Sequence, residues 1–442
     1  MKNAFYANNY FYKLILVKNK ITIFTLLLLS ILSLNVNGQD WHPGDTLNTA
    51  KTDSIRIDDF RDNMIDYTGQ DLIDASFPNS IPVFGTKSRI AFGGYVKLDY
   101  IQDFDGAYDR FQYEIQNVPV PGDGRPEQSG YMNLHTLESR FNVDFRSISE
   151  KGRPYRVFLE LDFYNMDRGP FNLVPRLRHF YGVLGRLLIG RTWGTQTDLY
   201  AVPNTIDFAA GDALTGTRRA QVRFEDELGK KSYKYAIGLE MLEYPGIDGP
   251  DTLGRSSQLL PLLAGRITKN TSSGGRMMLG ASVFQLRWDG QDIIANSTAI
   301  GWGISFSGRE YFGKKHYFFW MASYGQGWGS QIVSTIGTQG SAILSPDGEL
   351  ETMPAWNLGT GIAINLTQTL VTNFSMAWYS IEPSVYREPD KMKSGESAHL
   401  NLIWSPIKKV NTGVEYMILR RTNTDNSSGV GNRIQFMIKY VF

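Results

Sequence analysis

RIQFMIKYVF, residues 433–442, ends the chain with apolar side chains on every second position. Ile434, Phe436, Ile438, Tyr440 and Phe442 share one face of an extended strand, and Arg433, Gln435, Met437, Lys439 and Val441 share the other. One wholly apolar face, one mixed polar face and a terminal aromatic predict the closing strand of an outer-membrane β-barrel, with lipid outside and a polar lumen inside. The terminal Phe is the kind of signal that barrel-assembly machinery recognises.

The start of the chain agrees. Lys13, Lys18 and Lys20 precede the apolar run ITIFTLLLLSILSL at 21–34, and Gly38 follows with Val36 two positions before it. This is the layout of a secretory signal peptide. Cleavage is expected after Gly38, making 1–38 the signal peptide and Gln39 the first mature residue. A membrane anchor needs about 18 to 20 apolar residues, longer than this run. There is no cysteine, so lipid attachment at a processed Cys and disulfides are both excluded.

Composition would pass for a soluble protein. Aromatics make up 13% of the residues and glycine is abundant at 44, a mixture that barrels produce because alternation dilutes hydropathy in any window. The charge balance, 45 basic against 44 acidic residues, argues against nucleic acid as a partner.

Alternating segments are predicted at 93–104, 133–147, 153–163, 174–183, 185–192, 218–226, 232–242, 261–269, 276–287, 298–309, 314–324, 355–366, 368–381, 394–405, 410–420 and 431–442. Sixteen is an even number, as closed bacterial barrels require. Connections alternate between short turns, such as LG at 184–185, and long loops at 105–132, 193–217, 243–260, 325–354 and 382–393. Because the chain ends in the periplasm, short turns fall on the periplasmic side and long loops outside.

Parity assigns the faces. Leu137, Ser139, Phe141, Val143 and Phe145 are expected toward lipid, with Glu138, Arg140, Asn142, Asp144 and Arg146 inward. Val157, Leu159 and Leu161 point out and Arg156, Glu160 and Asp162 in; Ala220, Val222 and Phe224 point out and Arg219, Gln221, Arg223 and Glu225 in. A charge on the lipid face costs a few kcal/mol near the midplane, so these side chains line water. The barrel is thus expected over 91–442. Residues 39–90 read as a periplasmic N-terminal extension, Asp-rich, with a short amphipathic helix near Ser54 to Tyr67 and FPNSIPVFG packed on the barrel mouth.

The segment 189–224 carries GRTW (190–193), PNTIDF (203–208) and RRAQVRF (218–224), and resembles the third-loop region of DcaP-like outer-membrane porins. GGYVKLDYIQDFD (93–105) is similar to that family's opening strand. The resemblance implies a sixteen-stranded homotrimer that passes small, often anionic, solutes such as carboxylates, with its third loop folded into the lumen. Ala209, Ala210 and Gly211 depart from the Gly-Pro pair common in the family after the DF of this loop.

Independently of family, a loop tucked between charged walls creates a transverse field that orders charged solutes. The expected basic side is Arg140, Arg156, Arg178, Arg191, Arg219 and Arg223, with Asp207 among the loop acids. The bland alternative is that several of these arginines pair with Glu138, Asp144, Glu160 or Asp162 and only fasten loop to wall. DFDGAYD (103–109) is a fragment of a calcium loop with weak ligand candidates Asp103, Asp105 and Asp109, and it lacks the distal Glu.

The five histidines show no metal spacing. His179 falls on lipid-facing parity, where a barrel hydrolase would use it, but no serine motif accompanies it. Gly325 and Gly327 read as strand-to-loop glycines. The expectation is therefore a passive channel for small hydrophilic, anionic solutes, without cofactor or enzymatic activity, with outer-membrane lipid and like subunits as its other partners. Two rivals stand beside it: a barrel with an occluded lumen whose outer loops, above all 325–354, bind surface partners, and an outer-membrane barrel hydrolase.

Overall fold

Backbone N–H and C=O groups that face hydrocarbon have no water to bond, so a sheet crossing a membrane must close on itself. The computed structural model describes residues 77, 80–84, 88–125, 129–150, 153–164, 174–208, 212–228, 233–313 and 315–442, and in it the sheet closes. Sixteen antiparallel strands form an all-β barrel. They are β1 (Ser88–Asp103), β2 (Arg140–Ile148), β3 (Pro154–Asp162), β4 (Arg176–Leu184), β5 (Leu187–Trp193), β6 (Arg218–Glu227), β7 (Tyr233–Glu240) and β8 (Leu262–Asn270). The second half comprises β9 (Arg276–Asp289), β10 (Ser297–Phe312), β11 (His316–Gln326), β12 (Pro354–Asn365), β13 (Leu370–Ile381), β14 (Met392–Ile407), β15 (Val410–Asn423) and β16 (Ser428–Val441).

Closure is made by the two ends. Strand β1 pairs with β16 from Tyr95↔Val441 to Asp103↔Arg433, and Phe442 N donates to Gly94 O at 3.1 Å. Along β16 the alternation has the expected sense: Ile438 and Tyr440 are 58% and 52% exposed, whereas Arg433 and Gln435 are fully buried. The signal peptide 1–38 and the helix near Ser54 to Tyr67 lie outside the described residues. Nearer the barrel, the short strand Ile81–Val83 folds back on β1, pairing Ile81↔Ile90 and Val83↔Ser88.

Two departures from parity have local causes. The segment read as one strand over 133–147 is broken: Met132–His135 pairs with Asp99 to Gln102, β2 pairs with Ser88 to Tyr95, and 136–139 form a turn between them. Ser139 Oγ accepts from Lys97 N at 3.0 Å and donates to Lys97 O at 3.3 Å, replacing the ladder bonds lost at the break. The turn carries Leu137 inward, where it is 6% exposed and not on the lipid face. On β4, the register shifts so that Glu160 opposes His179 but Leu161 opposes Leu177. This β-bulge turns the adjacent residues Arg178 and His179 both inward. His179 is therefore buried, its Nδ1 2.9 Å from Thr192 Oγ1, instead of facing lipid.

Long connections pack inward at the first loop and between β11 and β12, whereas 243–260 and 382–393 keep exposed residues such as Leu259 and Val385. The loop between β11 and β12 packs Trp328, Ile332, Ala342, Ile343 and Leu344 into one apolar cluster with Tyr113 and Ile115 of the first long loop and with wall residues such as Phe284, Leu286 and Tyr379. Room for Trp328 is made by glycine: a Cβ at Gly303 or Gly325 would meet the indole within 3 Å. Its Nε1 donates to Ser323 Oγ at 2.8 Å. The stretch expected to present a binding surface, 325–354, is largely packed inward, which removes the observation that favoured an outward adhesive loop.

Ile304 sits near the middle of β10 with 52% exposure on the apolar exterior. Ile304→Arg should lower unfolding stability by about 2–4 kcal/mol, the cost of a basic side chain at the bilayer midplane. Denaturant titration in lipid vesicles checks this; an unchanged midpoint would remove this face from the hydrocarbon.

Candidate functional site

From Trp193 the chain turns into the barrel. Thr195 N donates to Glu240 on β7, Gln196 Nε2 to Ser305 Oγ on β10 at 3.1 Å, and Asp198 accepts from Arg276 of β9 and Ser307 of β10, both at 2.7 Å. Further on, Asn204 O accepts from Asn401 Nδ2 on β14 at 2.8 Å. Ile206 O accepts from Lys97 Nζ on β1 at 2.7 Å, and Ile206 N donates to Glu415 Oε2 on β15 at 2.6 Å. In a ring of sixteen, β7 and β15 are half a turn apart, so the loop crosses the lumen.

The return limb is tied as firmly. Asp212 Oδ2 is 3.2 Å from His399 Nε2 and accepts from Ser397 Oγ. His399 Nδ1 is 3.1 Å from Glu415 Oε1, which puts a carboxylate on each ring nitrogen, an arrangement the imidazolium satisfies with two donors. Thr215 then bridges Ile332, and Gly216 N donates to Gln331 O at 2.6 Å, joining this loop to the one between β11 and β12. Gly216 has φ +85°, and a side chain there would collide with Thr197.

Beside the crossing loop remains a cavity of about 520 Å³. Its basic lining is Lys97, Arg140, Arg176, Arg178, Arg191, Arg218 and Lys439; its acids are Glu114, Glu138 and Glu160. Leu199, Val202 and Leu214 of the crossing loop and Val333 and Ile336 of the β11–β12 loop supply apolar lining. Arg178 forks onto Glu160 at 2.8 Å and Asp162 at 2.7 Å, and Arg176 holds Asp162 at 2.8 Å. Arg140 reaches Glu160 only at 3.7 Å, and Arg218 Nη1 has no hydrogen-bond partner among the described residues. Arg140 and Arg218 are thus less closely paired than Arg176, Arg178 and Arg191 among the described residues. Burial pushes the Glu114 carboxyl up, against the pull of Gln116 Nε2 donating to it at 2.7 Å. At the loop's tip, Phe208 stacks on Tyr164 with centroids 4.4 Å apart, and the guanidiniums of Arg178, Arg176 and Arg140 lie 5.3, 5.4 and 5.9 Å from its ring.

Of the residues singled out in the sequence, Arg140, Arg178 and Arg191 line this cavity, Arg191 paired with Glu243. Arg156, Arg219 and Arg223 do not; all three are buried fasteners. Arg156 holds Asp144 at 2.8 Å, Arg219 holds Glu240 at 3.2 Å and Gln331 at 2.7 Å, and Arg223 lies 2.6 Å from Glu225. Asp207 is buried off the cavity, where Tyr113 N donates to it at 3.4 Å. The calcium fragment is used for turns: Asp103 Oδ1 caps Asp105, Gly106 and Ala107, its Oδ2 meets Arg433 at 3.2 Å, Asp105 accepts from Asn432, and Asp109 accepts from Phe111. No cluster of three potential metal ligands occurs among the described residues. Four cavity bases fall outside the predicted set: Lys97, Arg176, Arg218 and Lys439. For Lys97 and Lys439 the signal was available, as each sits between apolar lipid-facing neighbours on inward parity. The wall partners of the loop were out of reach, since His399 and Asp212 are 187 positions apart.

Comparison with known proteins agrees with this architecture. Residues 73–246 match the model of the family described as DcaP outer membrane protein, bearing out the resemblance read from the loop motifs. The chain is similar to the outer membrane channel DcaP of Acinetobacter baumannii, with 21% identity and a TM-score of 0.71 over 82% of this chain and 100% of that one. An anion-selective porin from Comamonas acidovorans matches with 12% identity and TM-score 0.51, covering 80% of this chain and all of that one. OmpF of Salmonella typhi, solved with daunomycin, matches with 10% identity and TM-score 0.51, covering 82% and 100%. No curated protein matches in sequence. The molecule is a porin-like barrel of the Gram-negative outer membrane.

Removing the imidazole from the clasp leaves two buried carboxylates facing each other. His399→Leu should therefore destabilise the barrel by about 3–5 kcal/mol, the range for breaking a buried ionic contact from one side. Open-channel current noise should rise as the crossing loop loosens, and single-channel recording with a denaturation curve checks both.

Proposed function

We propose that this barrel is a passive diffusion channel for small hydrophilic anions, carboxylates foremost, selected at the cavity beside the crossing loop. The observation that carries the reading is the row of Arg140, Arg176, Arg178, Arg191 and Arg218 along one passage, in which Asp162 and Glu243 pair with Arg176, Arg178 and Arg191 while Arg140 reaches Glu160 only at 3.7 Å and Arg218 Nη1 has no hydrogen-bond partner among the described residues. In a lumen with low-dielectric walls, uncompensated cations concentrate anions and repel cations. Planar guanidinium forks also match a carboxylate's two oxygens. The solute moves down its own gradient, so the reading needs no cofactor and no covalent chemistry.

The same reading takes 1–38 as the exported leader, 39–90 as a periplasmic extension, 91–442 as the barrel inserted by the assembly machinery, and a homotrimer as the working unit. Arg156, Arg219 and Arg223 belong in it to the framework and not to the filter. Arg140, Arg178 and Arg191 keep their place in the filter, joined by Arg176 and Arg218.

The test is the reversal potential of the refolded protein in a planar bilayer under a salt gradient. Wild type should give an anion-shifted potential, and Arg176→Gln with Arg218→Gln should move it toward zero, while Arg156→Gln should leave it in place. Lowering the pH should deepen anion preference, because Glu114, with its raised pKa, loses its negative charge before an ordinary glutamate does. A cation-shifted potential in the wild type would overturn the reading, and silence from folded protein would favour an occluded barrel.

A further inference from the structure

The cavity's apolar lining has a place in the ring that bears on what crosses it. Arg140, Arg176, Arg191 and Arg218 project from β2, β4, β5 and β6. Leu199, Val202 and Leu214 cluster instead with Tyr317, Phe319 and Met321 of β11, Ala363 of β12 and Ala377 of β13, and Val333 packs on the same cluster. Strands eight places apart face each other across a closed ring of sixteen, and β4 stands eight from β12. The two loops therefore carry an apolar ledge on the wall opposite the arginines.

Much of that ledge is ordinary packing. Leu199, Val202 and Leu214 are only 4–7% exposed and anchor the loop to the wall. Val333 and Ile336 differ, since both are half-buried and line the cavity from a loop otherwise sunk in the barrel. Apolar side chains facing pore water gain nothing from the water, but they gain when a solute's hydrocarbon covers them. The passage thus offers aliphatic surface at Val333 and Ile336 away from the arginines, while the apolar groups on the basic side, Phe208 and Trp193, lie against guanidiniums.

We propose that the passage prefers amphipathic carboxylates, those with an unbranched or compact hydrocarbon body, over equally charged but fully hydroxylated ones. The carboxylate runs along the arginine wall while the hydrocarbon runs along Val333 and Ile336. This rests on the anion-channel reading above and narrows its substrate class.

The test compares hexanoate with gluconate, which have equal carbon number and charge and differ in hydroxylation, as blockers of current through the intact protein in a planar bilayer. Hexanoate should interrupt the current with dwell times on the order of tenfold longer than gluconate, as burial of a few methylenes requires. Val333→Ser with Ile336→Ser should reduce the hexanoate dwell to the gluconate value, and Val333→Ile with Ile336→Leu should keep it long. Equal dwells in wild type, or a serine variant that retains the preference, would overturn the proposal; the wild-type comparison decides alone if the serine variant does not insert. A reversal potential in KCl that is not anion-shifted defeats the underlying reading, whereas an anion-shifted potential with equal dwells defeats only this inference.

Discussion

Closure between β1 and β16 is the contact on which the other features depend. A sixteen-stranded sheet with open edges would expose two rows of unpaired backbone groups to hydrocarbon, each several kcal/mol unfavourable. The pairing from Tyr95↔Val441 to Asp103↔Arg433 removes both edges at once. It also brings two inward bases, Lys97 and Lys439, directly opposite each other. The lumen exists because the ends meet, and part of its charge is placed by their meeting.

Once closed, the barrel has more interior than one layer of wall side chains fills. The chain fills it from the long loops. The crossing loop is held by wall groups on β1, β7, β9, β10, β12, β14 and β15, and the β11–β12 loop is held by the crossing loop in turn. Most of these contacts are charge-assisted or engage loop backbone, and they satisfy groups that would otherwise be buried unpaired. The passage is what these two loops leave open against β16 and β1 to β6. Its basic side belongs to the wall and its apolar side largely to the loops, so the two sides can vary separately.

Most of the barrel was legible because pleating enforces a period of two and lipid enforces its phase. Val157 with Arg156, Val222 with Arg223, and Ile438 with Lys439 all face as alternation predicts. Legibility failed where the backbone left the pleat: Leu137 sits in a turn and His179 at a bulge, and neither leaves a compositional mark. The division of arginines between filter and framework was equally hidden. Arg140 and Arg156 look alike in sequence, but Arg156 has Asp144 within 2.8 Å, whereas the ion pair of Arg140 among the described residues, to Glu160, is 3.7 Å long. That difference is set by which strands lie side by side and how their rows align. Partners across the lumen, such as Asp212 and His399, depend on the path of a loop that no periodicity describes.

The bulge on β4 has a consequence for how such a wall can change. Leu177 and Phe180 both face lipid, at 41% and 53% exposure, although they are three positions apart. Between them stand two lumen residues where regular pleating allows one. An inserted residue at this point enlarges the inner surface and leaves the outer sequence, and hence the fit to the bilayer, as it was. Insertion and deletion, ordinarily ruinous to a strand because they invert everything beyond them, become here a way to edit one surface of the sheet without touching the other.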